Sequence, residues 1–241
     1  MKSVVTEDLQ VLAVGESHAQ KGSEGTASAT KRFTEQLLPA IASRSGDLVV
    51  ELWHPDPKCM KEVRAVASAQ KPVTQTQATT NVNEYDALAI KSKELGVTPW
   101  PLRPTCDDFS AITDAGADAV PVMLGLVKRL TQQKVQQLMA KNVPAKKMTI
   151  AYGGLAHNDV APAASSAQWS FGPDLAKATG GKYVEIDLIV PEFVKDSDLW
   201  KKLPWYDAFS ADAEPRDRAT LYTIATTPPS YALVFPASSK P

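Results

Sequence analysis

Five short apolar runs constrain the fold of this chain more than any other feature: LQVLAV (9–14), DLVVELW (47–53), VTPWPL (97–102), KMTIAYG (147–153) and YVEIDLIV (183–190). Most are apolar at successive positions, so both faces of each strand must be covered, as in parallel sheets flanked by helical crossovers. Helix-compatible segments lie between them. One spans about 28–44, with Phe33, Leu37 and Ile41 four apart; another spans about 84–95; a third spans about 119–141, with Val120, Leu124, Val127 and Leu138 at helical spacing. This alternation predicts an α/β fold with a mainly parallel sheet and helices on both faces. Pro39 predicts a kink in the first helix, and Pro121 marks the start of the last. The polar stretch KPVTQTQATTNVN (71–83) reads as a surface loop or lid.

Beyond Pro191 the pattern changes to Pro, Trp and charged residues, followed by two β-prone runs, TLYTIAT (220–226) and YALVF (231–235), joined by TPPS. These predict a C-terminal hairpin that adds to the main sheet or covers its edge. The organisation is therefore a main domain over residues 1–190 and an extension over 191–241 packed on it, with enough apolar residues for one sizeable core. The 26 basic and 27 acidic residues nearly cancel, so no basic field exists to draw in nucleic acid or anionic lipid. No apolar run is long enough to span a bilayer, and MKSVVTEDLQ lacks the apolar region of a secretory signal. The chain as written is expected to be soluble. Cys59 and Cys106 lack zinc-site spacing and read as one bridge or two free thiols.

The three histidines all follow strands. His18 closes GESH and His157 closes GGLAH, so Gly-x-x-His occurs twice, at Gly15–His18 and at Gly154–His157. In an open α/β sheet the parallel strands end on one edge, where ligands bind, so strand-end histidines can converge. Glu16 and His18, two apart, face the same side if the strand continues through them, and the same parity pairs Glu185 with Asp187. Glu51 ends the second strand with His54 close behind, and PLRPT brings Arg103 to the same edge. Glycines here permit positive φ or close approach, and Gly154 offers a backbone N–H to a ligand. Helix capping is the competing reading for Glu16 and Glu51, and a surface turn is that for His54. No nucleophile elbow, HExxH helix or Walker loop accompanies the cluster, so it points to water chemistry or to ligand binding by imidazole and carboxylate.

VLAVGESH, VVEL, the arginine after the third strand and IAYGGLAH, in that order, resemble the superfamily of erythromycin esterase, the ChaN-like haem-binding lipoproteins and the TIKI/TraB proteins. The resemblance implies an α/β core with a helical cover, here about 57–146, and a polar site at the strand ends. It implies that Glu16, His18, Glu51 and His157, with Arg103 a weaker match, occupy functional positions; His54 has no counterpart. Hydrolysis of a peptide or ester bond in a small-molecule or peptide substrate is the leading expectation, with His18, His157 and Glu51 holding Zn²⁺ or Mn²⁺ or with a histidine acting alone as base. The alternative is haem or porphyrin binding, with Tyr152 or a histidine as ligand. The superfamily includes many exported proteins, which implies a bacterial periplasmic or cell-envelope location, otherwise cytoplasmic, and with it a Cys59–Cys106 bridge.

Overall fold

Every side chain of β1 (Val11–Glu16) is buried, because the strand runs through the middle of a seven-stranded sheet. The computed structural model describes residues 4–23, 25–211, 217–224 and 226–238. The other strands are β2 (Ser45–Trp53), β3 (Thr98–Leu102), β4 (Met148–Gly154), β5 (Tyr183–Ile189), β6 (Thr220–Ile224) and β7 (Ser230–Val234). Their order is β3-β2-β4-β1-β5-β7-β6. All pairings are parallel except that of β6 with β7. The α/β architecture read from the apolar runs is therefore the observed one. The C-terminal hairpin extends the main sheet, since β7 pairs directly with β5.

Each sheet face has its own core. On one, Leu12, Val14, Leu48, Ile150 and Ile186 pack with Phe33, Leu38 and Leu88, which come from α1 (Ala29–Arg32), α2 (Leu38–Ile41) and α4 (Asn81–Glu94) and the turn between the first two. On the other, Val11, Ala13, Val49 and Ala151 pack with Val135 and Leu175, from α6 (Ala119–Asn142) and α7 (Gly172–Ala178). Alternate residues of a strand point to opposite faces, so strands apolar at successive positions fill both layers. A third cluster joins Val66, Phe109, Ile112 and Met123, packing α3 (Met60–Thr74) and α5 (Cys106–Asp114) against the start of α6 as a helical cover. The Cys59–Cys106 disulfide ties the leading ends of α3 and α5, with Cα atoms 5.0 Å apart.

Several local expectations are refined. The first helix is broken by a π turn at Phe33–Leu37 just before Pro39, where proline's missing N–H and ring interrupt the hydrogen-bond ladder. Pro121 lies in the first turn of α6, as a helix start requires. Residues 71–83 are not one loop: α3 runs on to Thr74, and α4 begins at Asn81 after a short turn. Tertiary contact supplies what periodicity lacked, since Ala78 and Asn81 pack into buried positions and both bond the carbonyl of Ala19. β3 carries Pro99 and Pro101 at the sheet edge, where a missing donor costs no ladder bond. No single helix among the described residues is long and apolar enough to cross a membrane.

Candidate functional site

β1 and β4 are neighbours, with Glu16 opposite Gly154, and β2 lies on the far side of β4. The two Gly-x-x-His loops therefore leave adjacent strands at one level, and Glu51 enters from the next strand. A Cβ placed on Gly154 would stand 3.4 Å from Nε2 of His18, 3.7 Å from Oε2 of Glu51 and 4.0 Å from Cδ2 of His157. Both imidazoles and the carboxylate thus surround one point.

Each ring is held by its Nδ1–H. His18 donates it to Oε1 of Glu16 at 2.6 Å, and His157 donates it to the carbonyl of Trp169 at 2.9 Å. A carbonyl can only accept, so Nε2 of a neutral His157 carries the lone pair. That atom lies 3.8 Å from Oε1 of Glu51, a gap that a bridging water can fill. Oε2 of Glu51 accepts the backbone N–H of Gly154 at 2.7 Å, and the side chain crosses the face of Gly153 so closely that a Cβ there would collide with it. Neither Gly153 nor Gly154 has a positive φ; close approach, not backbone conformation, is what calls for glycine here.

Burial works against charge on His18, yet the attraction and hydrogen bond of Glu16, aided by Glu51, outweigh it and raise the imidazole from 6.5 to about 9. At neutral pH His18 is an imidazolium paired with a buried carboxylate. Tyr85 donates its hydroxyl to the same Oε1 of Glu16 at 3.1 Å; burial, then Glu16 and Glu51, push its pKa well up, so it stays a donor. Oε2 of Glu16 has no hydrogen-bond partner among the described residues. Tyr85 escaped sequence reading because Tyr85, Leu88 and Ser92 form the buried stripe of α4, and a tyrosine on such a stripe looks like core.

These groups floor a cavity of about 930 Å³. Its walls come from α3, α4, α6, the loop after β4, and the extension, including Val120, Met123, Leu124, Phe193, Trp200 and Leu203. The segment 71–83 does contribute to this wall through Thr74, Gln77, Asn81 and Val82.

Three expected participants lie elsewhere. Arg103 is exposed and is not among the lining residues, because the chain leaves edge strand β3 for the Thr105–Asp108 capping box that opens α5. Tyr152 points into the core and gives its hydroxyl to Thr30 at 3.1 Å. His54 is exposed in a turn and donates its backbone N–H to Leu102. Glu185 and Asp187 share a face, as parity indicated, but are sealed beneath the loop that carries His157. Glu185 accepts the N–H of Val160 at 2.6 Å and Asp187 accepts the amide of Asn158 at 3.0 Å. Burial above all pushes Glu185 to about 9 and Asp187 to about 7, with Asp187 adding to the rise on Glu185.

Two imidazole nitrogens and a carboxylate are donors that Zn²⁺ or Mn²⁺ accepts, and Nδ1 anchoring is how metal-binding histidines are oriented. Among the described residues, however, no three His, Cys, Asp or Glu side chains are gathered as a metal-ligand group. Compared with protein-family models, curated proteins and solved structures, the chain matches none.

Proposed function

We propose that the protein is a hydrolase that attacks an ester or peptide carbonyl with water activated between His157 and Glu51. The observation that carries this reading is the different anchoring of the two rings: His157, tied through Nδ1 to the carbonyl of Trp169, sets Nε2 3.8 Å from Oε1 of Glu51, whereas His18 is tied through Nδ1 to the carboxylate of Glu16 at 2.6 Å, which raises its pKa to about 9. Nε2 of His157 takes a proton from the water, whose oxygen bonds to the carbonyl carbon. His18 offers Nε2–H to the developing oxyanion and then to the leaving group. Glu51 orients the water and favours the His157 cation as it forms. Tyr85 and Glu16 hold His18 in place. This division of labour belongs to the esterase-like side of the superfamily resemblance. Only with His18 deprotonated could His18, His157 and Glu51 hold a divalent ion, which would supply Lewis-acid activation of water; no step above passes through it. The Cys59–Cys106 disulfide supports an oxidising compartment such as the periplasm.

Purified protein assayed against chromogenic esters and short peptides, with and without chelator, tests the reading. Turnover that His157→Gln and His18→Gln each abolish supports it. Absence of turnover on every ester and peptide, or turnover indifferent to both substitutions, overturns it. Turnover lost to chelator and restored by Zn²⁺ or Mn²⁺ moves the water onto an ion.

Haem or porphyrin binding is the second reading, favoured by the cavity's volume and apolar walls. Tyr152 would not serve, being bonded to Thr30 in the core, so a histidine would ligate the iron. A shifted Soret band on adding equimolar haem supports this reading; no shift removes it.

A further inference from the structure

The cavity has a second charged feature far from strand chemistry. Lys195, in the extension, lines it and is exposed, so the residue stands where the cavity meets solvent. Among the described residues Lys195 makes no side-chain hydrogen bond or ion pair, although acids stand close in sequence: Asp196 is taken by Lys201 at 2.5 Å, and Glu192 accepts the N–H of Ser238. One side of the wall is apolar, built from Met123, Leu124 and Val127 of α6 and from Phe193, Trp200 and Leu203 of the extension, while α3, α4 and the turn between them add Gln70, Thr74, Gln77 and Asn81. An apolar body displaces water from such a surface, and its burial favours binding.

We propose that the cavity takes an anionic amphipath: an ester or amide whose scissile bond sits at the histidines, whose apolar body lies along α6 and the extension, and whose remote anionic group pairs with Lys195. Only the position of the scissile bond rests on the hydrolase reading; the binding polarity does not. Hydrolysis then adds water across the acyl bond, the hydroxyl going to the acyl carbon and the proton to the leaving oxygen or nitrogen. Lys195 is a specificity residue for the class of molecule admitted and takes no part in the bond-breaking step.

The test is calorimetric binding of monomethyl esters of straight-chain dicarboxylic acids of increasing length, each against its dimethyl ester. The monoester should bind about two- to fivefold tighter than the diester at the best length, the difference made by one solvent-exposed ion pair. Lys195→Met should abolish that preference and Lys195→Glu should reverse it; both changes are at an exposed position and leave the core untouched. Met123→Trp, which fills the chamber, should weaken both esters, and circular dichroism checks that this variant folds. Equal binding of monoester and diester, a preference that survives Lys195→Met, or no binding of either ester overturns the proposal. Selective binding without turnover upholds it while sinking the hydrolase reading. Turnover without selectivity does the opposite.

Discussion

Buried acids on the neighbouring strands β1 and β5 behave differently because of what faces them. Glu16 of β1 meets His18 and Tyr85, so its charge is matched by a cation that it keeps protonated to about pH 9. Glu185 and Asp187 of β5 meet only amides, another acid and apolar surroundings, so burial drives them toward the neutral form. The first cluster opens onto the cavity. The second holds down Asn158 and Val160, the residues just past His157. Glu-x-His and Glu-x-Asp look alike in sequence, but one lines the floor of the cavity and the other anchors the loop beneath it.

The largest effect that separates the clusters is on turnover. If the reaction lies at the open one, His157→Ala should lower kcat by about 10²–10⁴-fold. Glu185→Gln keeps the shape of the clamp and should lower kcat far less. A comparable loss in both, measured on the same ester, erases the distinction.

Next in size is a glycine exchange. A Cβ on Gly15 would lie 2.6 Å from both Asn158 and Asp187, while one on Gly154 would find its nearest neighbour at 3.4 Å. Gly15→Ala should therefore cost about 1–3 kcal/mol by overpacking the sealed cluster, and Gly154→Ala should cost less stability while disturbing the ring of His18. Denaturant unfolding of the two variants side by side decides this, and equal losses contradict it.

Stability against pH gives a smaller signal. Glu185 and Asp187 have folded values of about 9 and about 7, above their ordinary 4.5 and 3.8. Their contribution is full below the ordinary values and is lost as pH rises through the folded ones. His18, raised from 6.5 to about 9, drains in the same direction at higher pH. Tm should fall as pH rises through this range. Glu185→Gln with Asp187→Asn should flatten the fall, leaving the part that belongs to His18; an unaltered slope removes the clamp's role.

The finest effect is a shift of one pKa. Glu16→Gln removes the chief support of the His18 cation, so its titration, followed by NMR of the ring, should move below about 9 and carry the alkaline limb of the rate profile with it. A titration that stays in place would show that Glu16 does not hold the charge.

Part of the site was legible because neighbours in sequence are neighbours in space. Glu16 and His18 are two apart and do meet, although β1 ends at Glu16, so the contact is made by the turn after the strand and not by strand parity. Strand-end histidines are also readable from apolar runs that stop at glycine. The repeated Gly-x-x-His motif, however, conceals two reasons for its glycines: Gly15 makes room for Asn158 and Asp187, while Gly154 gives its N–H to Glu51. Arg103 shows the opposite failure, since its strand-end position is readable but the chain then turns away into the α5 capping box. Tyr85 lies 69 residues from Glu16, and no pattern within α4 announces that contact.

By itself the sequence determined the layers: apolar strands alternating with helices must form a parallel sheet covered on both sides, because each strand has two apolar faces to bury. It also determined that histidines end strands and that Glu16 accompanies His18. Strand order was decided only by tertiary structure, and order is what places β4 between β1 and β2 and so brings His157 and Glu51 to His18. The same holds for the cavity, whose walls join the helical cover to an extension remote in the chain, and for the fate of each carboxyl group. Charge on a buried acid depends on the few atoms within hydrogen-bond reach, and those atoms arrive from elements that local sequence does not link.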